Sequence, residues 1–535
     1  MNIAKPNRIF GTERFHIALT TFFGLIVAIF IGLYAVGFGG NPLTSLMLIT
    51  AGVLLVLSVI NPRKGLKLLI ISGACLDFLK RFLVLFGIGS MSDVLGVLAV
   101  APINLTGVFL GACVFRPIFT KQMLDKHERR LVFLSLILIA ASLASGIHSS
   151  GGFSLVVLGN AANQGAYSLL VPVICILYRR GGIEEMKSLL QFLVIVYLPV
   201  AIYGIHQYAF GFSQFEIDYL RAGFTSLTDI LYEAHPRPFS MLNSNHAFAV
   251  SMGIMLVISC LLCAGGLRPR TGFFSSKWRW LLPVIFATAC LVSFGRGGWI
   301  VSIIGFICIL AFRTRTKILV FYSLFSLSFG LFVWQAGAIY KSLDNLQSML
   351  PSGSTVQEQA FRIGTYSERL YGFQNVFRNR SMWTWFGNPD LAYRSDRVLG
   401  EDEVVHDAIG QMLISHGIVG IVVLAAAGGL SLFLLHRKIL AIRRGPNEIL
   451  GRGLLSVCIA LFIGGMLTGS HLSVFPINML FWSALGALLA VAQMKIPLRG
   501  EKDAIAPAKP PRLHAGSQRP ATRSDARAAG FRPST

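Results

Sequence analysis

Charge is scarce in this chain. Asp, Glu, Lys and Arg make up 13% of its 535 residues, and only 24 residues are acidic. With a mean hydropathy of +0.66, this excludes a set of ordinary soluble domains of the same length. The long apolar runs do not alternate with polar residues, which excludes the strands of a membrane barrel. The chain has no GxSxG, Walker loop, HExxH or nucleotide fingerprint in a credible setting, so the signatures of the common hydrolases, NTPases, zinc peptidases and dinucleotide enzymes are missing. No repeat of helix pairs is strong enough to mark a transporter-type duplication. Cysteine is missing from the long polar interval. All eight (Cys75, Cys113, Cys175, Cys260, Cys263, Cys290, Cys308 and Cys458) lie in or beside apolar runs. Cys260 and Cys263 form a CxxC without further ligands nearby, and read as small core residues rather than a zinc or redox pair.

What is abundant is apolar sequence in runs of about twenty residues, each able to cross ~30 Å of hydrocarbon as a helix. Lipid offers the backbone no hydrogen bonds, so such runs must be helical. The expected fold class is all-α, a polytopic helical membrane protein with about 12–14 transmembrane helices and one large external loop. The net charge of +23 does not point to nucleic acid, because Lys and Arg sit mainly in short loops and at both termini, as membrane orientation requires. Partners are therefore the lipid bilayer and whatever the external face binds.

Basic loops allow the orientation to be followed along the chain. Spans are expected at about 15–37, 43–60, 68–88, 93–114, 131–147, 165–178, 188–210 and 241–264, then two within 280–312, then 318–337, 407–435, 453–469 and 475–494. The first is an uncleaved helix rather than a signal peptide. Under this count Arg63–Lys67, Arg116–Arg130, Arg179–Arg180, Arg268–Arg279, Arg313–Lys317 and His436–Arg444 all fall on one side with both termini. The large loop falls on the other. The organisation is then residues 1–337 as helices with short loops, 338–405 as the large loop, 406–495 as the last helices, and 496–535 as a basic, Pro/Ala-rich cytoplasmic tail that cannot bury a core.

Four groups of unusual residues collect on the external face. They are Arg221, His235, Arg237, Asn243, Asn245 and His246; Arg296 in a Gly-rich turn; the arginines of the large loop with His406; and Ser470–His471. Ionisable groups near the membrane face are costly unless paired or functional. Arg296, flanked by glycines, suits an anion held by its guanidinium and by exposed amides. A pair with a carboxylate such as Asp77 or Glu216 is the alternative. In the loop, Tyr366, Leu370, Phe373 and Phe377 make an apolar stripe at helical spacing, with Arg362 and Arg369 on a neighbouring face. Converging arginines suit a pyrophosphate; an interfacial helix with solvated charges is the other reading. His406 follows Glu401, Asp402 and Glu403, and a neutral His can take a proton from a hydroxyl.

Four stretches resemble the O-antigen ligase and Wzy-type polysaccharide polymerase family of bacterial inner-membrane proteins. Pro238–Asn245 is similar to its Phe/Asn element, Ser293–Trp299 to its S-x-x-R-G-x-W turn, and Ser367–Arg369 to its loop arginine segment. His406–Asp407 with Gly417 and Gly420 is similar to its HN…G-x-x-G helix opening, except that Asp407 stands where Asn is usual. The resemblance covers roughly residues 190–490. It implies an undecaprenyl-pyrophosphate-linked glycan as donor and glycosyl transfer at the periplasmic face of the bacterial inner membrane, without metal or other cofactor. Arg296 and Arg369 would hold the pyrophosphate and His406 would activate the acceptor hydroxyl. Arg362, Arg237, Asn243, Asn245, His246, Asp407 and His471 would line the substrate. The expected activity is polymerisation of exopolysaccharide or O-antigen repeats, with a chain-length regulator as partner. The alternatives are ligation of finished glycan to a lipid A-core or other acceptor and, in another class, a lipid-linked glycan flippase or transporter.

Overall fold

The computed structural model describes residues 42–86, 91–120, 123–150, 165–222, 231–232, 235–263, 274, 276–311, 384–387, 413, 417–419, 422, 446–468 and 474–494. The expected spans at 15–37 and 318–337, most of 407–435, and the tail lie outside them.

The regular elements of the described residues are helical apart from a short antiparallel pair, β1 (Leu231–Tyr232) with β2 (His235–Pro236). The helices are α1 (Pro42–Ile60), α2 (Pro62–Arg81), α3 (Met91–Leu98), α4 (Val100–Phe109), α5 (Arg116–Thr120), α6 (Lys126–Ser150) and α7 (Leu170–Tyr178). They continue with α8 (Gly182–Phe210), α9 (Gln214–Arg221), α10 (Asn245–Cys263), α11 (Leu281–Val292), α12 (Arg296–Ala311), α13 (Pro446–Thr468) and α14 (Ile477–Gln493). A π-helical segment, Leu110–Phe115, joins α4 to α5.

Among the described residues five helical segments are long and apolar enough to cross a membrane: Leu43–Ile60, Asp93–Ile118, Gly182–Phe210, Asn245–Cys263 and Asn447–Gly465. Ala166–Tyr178, Arg296–Ala311 and Ile477–Gln493 are shorter and also apolar. On α1, Leu46, Ile49, Val53, Leu57 and Ile60 are exposed at spacings of three and four. Water would not tolerate that stripe, but it is what a lipid-facing helix presents.

Three of the differences from the expected boundaries have a local reason. Arg63–Lys67 is not a loop. Asn61 caps α2, its Oδ1 accepting from the Lys64 amide at 3.2 Å, and Pro62 supplies the first turn. α6 starts at Lys126 rather than 131 because Asp125 and Glu128 cap it reciprocally, with Glu128 N donating to Asp125 Oδ1 (2.8 Å) and Asp125 N to Glu128 Oε2 (2.9 Å). The polar loop expected at 211–240 contains α9, opened by a capping box between Ser213 and Glu216.

The core runs through the bundle. α12 packs on α13 and α10, α14 on α7, α1 on α4, and α10 on α11. α10 and α12 approach through small residues: a Cβ on Gly298 would meet Ala249 O at 2.2 Å, and one on Gly253 would meet Gly298 O at 2.5 Å. Among the cysteines, Cys113, Cys175, Cys263, Cys290, Cys308 and Cys458 are buried and all eight are free.

The basic helix ends gather at one pole. Arg63 bonds Glu185 and the Leu177 carbonyl. Arg179 bonds Asp125 and Gln493 and lies 2.9 Å from Glu128. The starts of α2, α6 and α8 and the ends of α7 and α14 therefore meet there.

Candidate functional site

The opposite pole of the same helices is built from buried polar groups. Its centre is Arg81, at the end of α2. One guanidinium nitrogen lies 2.8 Å from Glu216 Oε1 on α9, the other donates to the Leu242 carbonyl, and the group stacks 4.0 Å over the Phe239 ring. Glu216 also accepts from Gln207 Nε2 (2.8 Å) and from Ser213 N and Oγ (3.1 and 2.8 Å). Gln207, near the end of α8, in turn accepts from the Ser240 amide at 2.6 Å. Ser240 holds φ +53°, a left-handed conformation uncommon for a residue other than glycine, and its hydroxyl donates to the Val200 carbonyl. The segment 238–245 is thus fastened to α2 through the Leu242 carbonyl and to α8 through the amide and hydroxyl of Ser240.

Asn245, the first residue of α10, ties this segment to the next. Its Nδ2 donates to Pro238 O (2.9 Å) and Ser293 O (2.6 Å). Beyond α11 the backbone turns sharply: Phe294 has φ +52°, Ser293 Oγ donates to Cys290 O and accepts from Gly295 N, and Trp299 Nε1 donates to Cys290 O at 2.9 Å. A Cβ on Gly295 would lie 2.2 Å from the Ala249 side chain, so the turn lies directly on α10. Arg296 follows as the first residue of α12, half-buried, where the amides of the opening turn favour an anion.

Among the predicted site residues, Asn243, Asn245 and the turn before Arg296 are joined through this network. Arg237 lies beside β2 and His246 is the second residue of α10, both half-buried. Of the two carboxylates named as alternatives for Arg296, Glu216 carries an ion pair with Arg81, and Asp77 one with Lys80 at 2.8 Å. His406, Arg369, Arg362, Asp407 and His471 lie outside the described residues.

Asp77, Lys80, Arg81, Gln207 and Glu216 belong to this network and are not among the site residues expected from sequence. Three ionisable residues in one apolar run were the available signal. Of the large loop, Thr384–Gly387 is described. It docks on residues 417–419, with Ile418 N donating to Thr384 O (3.0 Å) and Val419 N to Trp385 O (3.1 Å). Gly417 allows this with φ +66°, and a Cβ there would lie 2.4 Å from Thr384 O. Among the described residues no cluster of three His, Cys, Asp or Glu side chains is placed to hold a metal ion.

Comparison of the sequence with known proteins finds no matching family model and no matching curated protein.

Proposed function

We propose that the protein is a glycosyltransferase of the bacterial inner membrane that acts on undecaprenyl-pyrophosphate-linked oligosaccharide at the periplasmic face. Both termini would be cytoplasmic, and the activity would be polymerisation of exopolysaccharide or O-antigen repeats. One observation supports this reading above the others. Asn245 bonds both Pro238 and Ser293, bringing together two stretches that carry the family resemblance from separate parts of the chain. Charge distribution supports it too: the described ionisable clusters sit at the two poles of the bundle rather than along a path through it. A flippase would need the latter.

In this proposal Arg296 and the opening amides of α12 hold the pyrophosphate of the donor, with Arg369 and Arg362 closing from the loop. His406 takes the proton of the acceptor hydroxyl as its oxygen forms a bond to the anomeric carbon. The bond from that carbon to the pyrophosphate oxygen breaks, and the departing charge is met by the guanidinium groups. The test is sealed proteoliposomes supplied with lipid-linked oligosaccharide, scored for new glycosidic bonds and for donor translocation. New bonds support the reading; translocation without them overturns it.

A further inference from the structure

Lys80 is almost wholly enclosed, its side chain 4% exposed. It touches two groups: Asp77 Oδ1, one turn earlier on α2, at 2.8 Å, and Asn243 Oδ1, to which it donates at 2.5 Å. An ammonium carries donors only, so the Asn243 atom it meets must be the carbonyl oxygen. This removes the usual ambiguity of an amide, which can otherwise be turned end for end. The Nδ2 group, with two N–H donors, is left on the other side of the amide. Among the described residues it takes no partner. Asn243 is half-buried and stands two residues before Asn245, which binds the Arg296 turn. Burying Lys80 with Asp77 is expensive compared with filling the same space by apolar side chains, so a role beyond packing is called for.

We propose that Lys80, held by Asp77, is a positioning residue that locks the Asn243 amide with its N–H donors presented to an anionic oxygen of the ligand. The ligand class, a polyprenyl diphosphate, rests on the glycosyl-transfer reading above; the locking of the amide rests on the Lys80 geometry alone.

The two roles of Asn243 separate in Asn243→Asp. The carboxylate keeps an acceptor for Lys80 but replaces the donor group by a second acceptor. The experiment uses full-length protein in detergent with undecaprenyl diphosphate as probe, measuring affinity and thermal midpoint. Asn243→Asp should keep the wild-type midpoint while its Kd rises about tenfold or more, the scale of one lost hydrogen bond to a charged group. Lys80→Met should raise Kd similarly, and Lys80→Arg should recover part of the loss. Wild-type affinity in Asn243→Asp, or a midpoint that collapses in it, overturns the proposal. A wild-type protein that does not bind the probe counts against the glycosyl-transfer reading instead. The amide lock is then decided by the ¹⁵N side-chain signal of Asn243, identified by its disappearance in Asn243→Asp. A shift in Lys80→Met supports the lock, and an unmoved signal overturns it.

Discussion

Arg81 and Glu216 meet at 2.8 Å across 135 residues of sequence, each side chain only 1% exposed. The pair joins the end of α2 to the start of α9, and through Gln207 and the Leu242 carbonyl it reaches α8 and the segment before α10. A buried pair gains little over apolar packing, but removal of one partner strands the other charge. Here that charge would be stranded in the frame of the candidate site.

Arg81→Met or Glu216→Gln alone is therefore expected to lower unfolding free energy by about 3–5 kcal/mol, and the double variant should cost less than the sum of the two. Denaturant or thermal unfolding of the purified protein in detergent measures both. Additive single effects would mean that the two residues are not coupled.

Asn245→Leu leaves the Pro238 and Ser293 carbonyls without their shared donor, at a cost of about 1–3 kcal/mol for each buried group left unsatisfied. Asn245→Asp should be at least as damaging, because a carboxylate would face two carbonyl oxygens. Thermal midpoints of the two variants check this; a tolerated aspartate would contradict the assigned donor.

Gly417→Ala meets two obstacles, a left-handed φ of +66° and the Thr384 carbonyl 2.4 Å from the new methyl group. The left-handed conformation alone costs roughly 1–2 kcal/mol for a residue with a Cβ. Thr384–Gly387 should lose its seat on residues 417–419, which limited proteolysis would read as faster cleavage near Trp385. An unchanged cleavage rate would contradict this docking.

The basic pole carries a pH dependence. Burial pushes the Asp125 carboxyl up, but the Glu128 amide and Arg179 outweigh it and hold the group below the ordinary carboxylate range. A depressed folded value means that the stabilisation is complete above the unfolded pKa of about 3.9 and is lost as pH falls through the lower folded value. The side chain is 39% exposed, so the effect is modest and should shrink further in high salt. Thermal midpoints of wild type and Asp125→Asn should differ at pH 6 and converge as pH falls below 4; a constant difference would contradict the assignment.

Much of the helical architecture was legible because long apolar runs admit few alternatives. The break of 280–312 into α11 and α12 was visible in the glycines around Arg296. Capping was harder to read: Asn61 with Pro62, Asp125 with Glu128, and Ser213 with Glu216 each start a helix within sequence that composition marks as loop. The site was legible where special residues sit in short motifs, as with Asn245 and the Ser293–Trp299 turn. Asp77, Lys80 and Arg81 were not assigned, because sequence shows only that an apolar run contains charges. Their partners, Asn243 and Glu216, lie 163 and 135 residues away, and no local pattern encodes such a pairing.

The central claim is glycosyl transfer that depends on Arg296. Its most direct measurement is product analysis from reconstituted wild-type and Arg296→Ala protein supplied with undecaprenyl-pyrophosphate-linked oligosaccharide. Longer glycans are expected from wild type, and none from a variant that still inserts and keeps its thermal midpoint. Equal products from the two proteins, or none from either, would contradict it.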